Sequence, residues 1–225
     1  KKICIPTGER KLKLLILSPK NKSTDRTGVL WIHGGGYVTG MAGMVHMSRA
    51  KNLVQKFGAV VVSPEYRLAG QAPYPAALED CHAALVYLKE HAAEFGVRSD
   101  QIMVGGESAG GGLAAALCMY EKDTDGVSVA FQMPLYPMID CEDTETSKDN
   151  HAPVWNTKRN HYGWKKHLAG LSGEIPCYAS AARRKDYSGL PPAYTFVSTA
   201  EPFYAETVTY IENLRAAGVP AEIDI

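Results

Sequence analysis

The chain has 225 residues, 45% hydrophobic and 21% charged, an ordinary globular composition with enough apolar side chain for one sizeable core. Lys and Arg number 24 and Asp and Glu number 24, so no basic stripe argues for nucleic acid and no polybasic segment argues for a membrane surface. The apolar runs fall far short of a bilayer span, and Lys1-Lys2-Ile3-Cys4-Ile5-Pro6 is not followed by the apolar core of a secretory signal.

Residues 11–17 read as a strand, 21–27 as a polar turn and 29–32 as a buried strand. Residues 44–57 carry helical spacing in Val45, Met47, Leu53, Val54 and Phe57, and Gly58 ends the run. The β-branched run 59–63 reads as a buried strand, and 75–93 as a long helix with proline at its start. A strand at 102–104, a helix at 108–120 and a strand at 129–133 follow. The alternation then stops. Residues 141–182 are polar and aromatic, with Trp155, Tyr162, Trp164 and Tyr178, and helical only around 160–169. It resumes with a strand at 193–198, a helix at 204–217, the break Gly218-Val219-Pro220 and a strand from Ala221. Apolar strands alternating with helices imply a mostly parallel sheet covered on both faces. The segment 141–182 reads as an insertion over the carboxyl edge of that sheet, where ligands bind in such folds.

Two motifs carry chemistry. Gly106-Glu107-Ser108-Ala109-Gly110 lies between the apolar strand and a small-residue helix, the sequence form of a nucleophile elbow. Its glycines suit a turn too tight for side chains beside the serine. His33-Gly34-Gly35-Gly36 ends the strand 29–32. It has neither the spacing of a dinucleotide loop nor a G-K-[ST], so a nucleotide site is disfavoured. Bare glycines let backbone N–H groups approach a developing alkoxide, so Gly35, Gly36 and Ala109 are the expected oxyanion donors. His33 and Gly34 are expected to support that loop. Glu107, beside the nucleophile, either shapes the electrostatics of the pocket or makes a structural hydrogen bond.

The cysteines are Cys4, Cys81, Cys118, Cys141 and Cys177, an odd number without C-x-x-C, which fits reduced thiols in a cytoplasmic protein. Cys81 and Cys118 fall at helix core positions. Cys141, His151, His161, His167 and Cys177 share one stretch but lack any tight metal-ligand spacing, so no metal is expected.

These residues resemble the hormone-sensitive-lipase-like branch of the α/β-hydrolases, which includes many bacterial carboxylesterases. The resemblance runs from about residue 28 to the end. It rests on the two motifs above, on Tyr66-Arg67-Leu68-Ala69 with Tyr74-Pro75-Ala76-Ala77-Leu78-Glu79-Asp80, on Pro153-Val154-Trp155, and on Ser188-Gly189-Leu190-Pro191-Pro192-Ala193. The stretch Gly70-Gln71-Ala72-Pro73 departs from the family pattern in a loop. The resemblance implies an α/β-hydrolase fold in a single domain, with a mostly parallel central sheet, helices on both faces and a cap insertion at about 141–182. It implies hydrolysis of small, short-acyl esters through an acyl-serine on Ser108, without cofactor or metal. A homodimer is a further family trait.

The family carries its acid in an Asp-Pro-Leu-like motif after the next-to-last strand. This chain has Glu201-Pro202-Phe203 there, so Glu201 is the expected acid, ahead of Asp186, Glu206 and Glu212. The base should follow the acid in sequence, yet no histidine follows His167. The expectation is that the carboxyl-terminal end of the fold is missing and the general base lies beyond Ile225. The alternatives are a catalytically dead ligand binder, as in the plant gibberellin receptors that resemble this family and lack the histidine, or an amidase or peptidase.

Overall fold

A computed structural model of the chain describes residues 1–21 and 23–225; Lys22, within the expected turn 21–27, lies outside the described residues. Eight strands form one sheet in the order β1-β2-β4-β3-β5-β6-β7-β8. They are β1 (Lys2–Thr7), β2 (Arg10–Leu17), β3 (Arg26–Ile32), β4 (Val60–Pro64), β5 (Val97–Glu107), β6 (Phe131–Leu135), β7 (Ala193–Phe196) and β8 (Ala221–Asp224). β1 pairs β2 and β2 pairs β4 antiparallel, while the pairings from β4 through β8 are parallel. The described residues also form five α-helices: α1 (Arg49–Phe57), α2 (Ala76–Glu90), α3 (Ala109–Asp123), α4 (Thr157–His167) and α5 (Tyr204–Ala216), of which α1, α2, α3 and α5 contact the sheet.

The central strands are apolar on both faces because both faces are covered. Leu30 and Ile32 of β3 point with Val104 toward Leu85 of α2 and Leu113 of α3. Val29 and Trp31, offset by one residue, point to the other face, with Ala50 of α1. The register Ile32↔Gly106 between β3 and β5 sets the ends of these two strands side by side. Both motifs therefore emerge at one point of the carboxyl edge, where β3 is flanked by β4 on one side and β5 on the other.

Small residues let α3 press onto the sheet. A side chain on Gly110 would overlap the carbonyl oxygens of Ile32 and His33. Gly110→Ala is accordingly expected to destabilise the protein by about 3 kcal/mol or more, read as a lowered urea midpoint at unchanged m.

Several boundaries differ from the sequence expectation. The run 44–57 is not one helix. A 3₁₀ turn at Ala42–Met47 stops at Ser48, which adopts extended backbone (φ −94°, ψ 174°) and starts α1 as its N-cap. Its hydroxyl accepts the Ala50 N–H at 3.2 Å, so local capping outweighs the apolar period. The strand expected at 129–133 is shifted to β6, and the helix expected at 160–169 begins earlier, where the Asn156 side chain accepts the Arg159 N–H at 3.2 Å. Cys81 and Cys118 are buried. Arg67 and Arg10 both pair with the buried Asp80, at 2.9 and 2.7 Å, fixing the loop after β4 to α2. Among the described residues no helix is long and apolar enough to cross a membrane.

Candidate active site

Ser108 joins β5 to α3 with φ 57° and ψ −121°, a conformation that L-residues rarely adopt and that costs about 1–3 kcal/mol. Bonds on both sides hold it there. Its N–H donates to Leu135 O at 3.0 Å, and its carbonyl accepts from Gly112 and Met138, each at 3.0 Å. A Cβ on Gly106 would overlap the Gly110 carbonyl, so only glycine admits so close a turn.

The triple-glycine loop lies against this elbow. A Cβ on Gly34 would come within 2.8 Å of Glu107 O and 3.3 Å of Ser108 Cβ. Gly35 (φ 123°) and Gly36 (φ 58°) occupy backbone regions that favour glycine. The Gly35 carbonyl accepts from Val38 and Thr39 at 3.1 and 3.0 Å, which closes the loop on itself. No chain acceptor takes the N–H of Gly35 or Gly36 among the described residues. Ala109, the first residue of α3, has an N–H with no carbonyl one turn earlier inside the helix.

His33 is buried beneath the loop. Its ring stacks on Tyr66 at 4.2 Å with 16° between planes, and Nδ1 lies 2.8 Å from Gly34 O. The Tyr66 hydroxyl donates to His33 O at 2.9 Å. Burial lowers its pKa, so the ring stays neutral.

A cavity of about 860 Å³ opens above the elbow. Ser108, Gly35, Gly36, Glu107 and Glu201 all line it. Ala109 is fully buried just behind Ser108, and His33 and Gly34 are not in the lining. The segment 141–182, which contains α4, adds Trp155 to the wall, its ring where a side chain on Gly36 would be.

Glu201 sits in the turn between β7 and α5. Its N–H donates to Ser198 O at 3.0 Å and its carbonyl accepts the Tyr204 N–H at 3.2 Å. Residues of 141–182 brace the same turn: Thr146 Oγ1 donates to Pro202 O at 2.9 Å, and Asn150 Nδ2 to Ala200 O at 3.3 Å. Burial pushes the Glu201 carboxyl up from its ordinary range. Glu107 Oε1 accepts the Arg49 N–H at the start of α1 at 3.2 Å. Burial raises its pKa, opposed by the Arg49 N–H, the nearby Tyr136 hydroxyl and the Arg49 charge.

The remaining acids and the histidines fall elsewhere. Asp186 and Glu212 are exposed and do not line the cavity. His82 pairs with Glu121 at 2.5 Å, His161 with Asp143 at 2.7 Å, and His151 with Asp149 at 3.0 Å. His167 stacks on Tyr37 at 4.0 Å, and burial lowers its pKa to about 4. His46 and His91 are likewise outside the cavity lining. Among the described residues, no three His, Cys, Asp or Glu side chains are grouped to hold a metal ion.

Glu206 is fully buried at the first turn of α5, a place the sequence did not distinguish from the surface. Its Oε1 accepts the N–H groups of Ile139 and Asp140 at 2.7 and 3.2 Å, and Oε2 has no partner among the described residues. Burial pushes its pKa up to about 8, against those two bonds. A carboxyl raised on folding binds its proton more tightly in the native state than in the unfolded chain. Stability is therefore full near pH 4.5, the ordinary value, and falls as pH rises toward about 8. The slope from this group approaches ~1.4 kcal/mol per pH unit. Urea titrations of wild type and Glu206→Gln between these limits should show the slope removed in the variant.

A strained serine between strand and helix, at the carboxyl edge of a mostly parallel sheet and against a glycine loop, defines an α/β-hydrolase fold. A family model described as alpha/beta hydrolase fold matches residues 29–225. The chain belongs to that family, in its hormone-sensitive-lipase-like branch. It is 34% identical over 206 residues to esterase LipI of Mycobacterium tuberculosis, and 33% identical over 201 residues to carboxylesterase NlhH of the same species. Each match covers 87% of this chain and 62% of the relative, so the chain spans less than two thirds of those proteins. Among solved structures it is similar to a bacterial heroin esterase, with TM-score 0.94 and 33% identity over 99% of this chain and 73% of that one.

Proposed function

We propose that the protein is a serine carboxylesterase acting on small, short-acyl esters. The observation that carries this reading is the joint lining of one cavity by Ser108, the Gly35–Gly36 loop and Glu201. The Ser108 alcohol attacks the ester carbonyl, and its proton passes to a general base, which in this fold is a histidine that follows the acid in the chain. The carbonyl oxygen becomes an oxyanion, received by the N–H groups of Gly35, Gly36 and Ala109, the loss of any one donor costing about 3 kcal/mol. The C–O bond to the alcohol breaks, the histidine returns the proton to it, and an acyl-serine remains. Water, deprotonated by the same histidine, releases the acid and restores Ser108. Glu201 orients the histidine and stabilises its positive form. The neutral ring of His33 props the oxyanion loop, and the Glu107 carboxylate anchors the start of α1 to the elbow. The segment 141–182 serves as part of a cap, with Trp155 limiting the acyl side.

The names of the relatives support ester hydrolysis over the ligand-binder and amidase alternatives. A panel of p-nitrophenyl esters from acetate to laurate tests the reading. Turnover by the whole protein should be highest on the short esters and should vanish in Ser108→Ala; Ser108-independent turnover, or none, rejects it.

A further inference from the structure

Resting on the esterase reading, we propose that Arg49 gives the site a preference for esters that carry an ionised carboxylate on the acyl group, such as half-esters of dicarboxylic acids. Arg49 is the first residue of α1 and lines the cavity together with Ser108. Its backbone N–H is fixed on Glu107 at 3.2 Å. The guanidinium lies over the Phe196 ring, 5.5 Å from its centroid, so cation–π attraction keeps it on the cavity wall at the end of β7. No carboxylate lies within 4.0 Å of it, and its side chain donates no hydrogen bond, among the described residues. Other arginines here are engaged: Arg67 on Asp80 and Glu79, Arg183 on Asp140 and Glu142, Arg184 on Asp123.

Asn52, one turn further along α1, also lines the cavity, and its amide has no chain partner among the described residues. Arg49 and Asn52 thus present donors from one helix face into the space that holds the nucleophile. A planar fork of N–H groups matches a carboxylate with two parallel bonds. The nearby acids select the charge of the guest. Glu107 and Glu201 line the same cavity, so a doubly charged phosphate would meet more repulsion than a singly charged carboxylate. Glu107 accepts the Arg49 backbone N–H and, among the described residues, no carboxylate oxygen lies within 4.0 Å of the guanidinium, which leaves its N–H groups for the substrate. Trp155, Val154 and Phe203, which also line the cavity, are apolar and suit the uncharged part of the ester.

The test compares monomethyl succinate with its neutral isostere methyl 4-methylpentanoate, using the whole protein. The ratio of their kcat/KM values should favour the half-ester, and Arg49→Gln should lower that ratio about tenfold to a hundredfold. Raising ionic strength should lower the wild-type ratio and leave the variant ratio nearly flat. A structural defect would slow both esters together and leave the ratio unchanged; that result, or a wild-type preference for the neutral ester, overturns the proposal. If neither ester shows Ser108-dependent turnover, the esterase reading fails on its own. Calorimetry with monomethyl succinate on Ser108→Ala then decides the carboxylate site. Binding that disappears in Ser108→Ala/Arg49→Gln upholds it, and absence of binding ends it.

Discussion

The Ser108→Ala protein is expected to fold normally and to lose about 10⁴- to 10⁶-fold in kcat on short esters, measured by burst-free steady-state assays of the whole protein. The size follows from the role assigned to the hydroxyl: without it no acyl-enzyme forms, and only binding and the oxyanion donors remain. The normal fold follows from the bonds around the residue. The elbow is held through the Ser108 N–H and carbonyl, to Leu135, Gly112 and Met138, and none of these involves the side-chain oxygen. Ala keeps the Cβ and therefore the strain of φ 57°. Ser108→Gly should be equally inactive yet more stable than Ser108→Ala by about 1 kcal/mol, because glycine adopts that backbone freely. A stability order with Gly below Ala would mean that the positive φ carries no strain. Retained turnover in both would remove Ser108 from the mechanism.

What the sequence revealed depended on how local each signal was. The elbow and the triple-glycine loop were legible because each is a short contiguous pattern. The contacts that require those glycines are partly local, Gly106 against the Gly110 carbonyl and Gly35 against Thr39, and partly distant, Gly110 against the Ile32 and His33 carbonyls and Gly36 against Trp155. Glu201 was not legible from charge or spacing. It came from resemblance to a family motif, and the structure sets it on the cavity wall in a turn braced by Thr146 and Asn150. The run at 44–57 misled because apolar period and capping disagree at Ser48, and the cap prevails. That break brings Arg49 to the head of α1, and its contact with Phe196 joins segments far apart in the chain. No pattern within α1 announces it. Glu206 was hidden in the same way: its first-turn position fits a surface helix start, and only the docking of α5 against residues 139–140 buries it.

The second large effect is expected at Glu201. Glu201→Gln should lower kcat on short esters by about 10³- to 10⁴-fold with little change in melting temperature. The carboxylate accepts the imidazole N–H in the proposed triad, selects its tautomer and stabilises the imidazolium that forms during attack. An amide can present its NH₂ to the ring and favour the wrong tautomer. The sign of the accompanying pH shift separates this role from a structural one. A nearby carboxylate raises the pKa of an imidazole, so its loss should move the acid limb of kcat/KM to lower pH. Burial already raises the Glu201 carboxyl from its ordinary range, so wild-type activity also falls once acid neutralises it. Glu201→Asp keeps the charge with one methylene fewer and should recover most of the pH profile, with a smaller loss of rate from the longer reach. If Glu201→Gln kept the wild-type rate and acid limb, the orienting acid would have to be another residue, and Asp186, Glu206 and Glu212 are poorly placed, the first and last exposed and Glu206 bound to the Ile139 and Asp140 N–H groups. The triad reading therefore stands or falls on this one carboxylate as much as on the serine it serves.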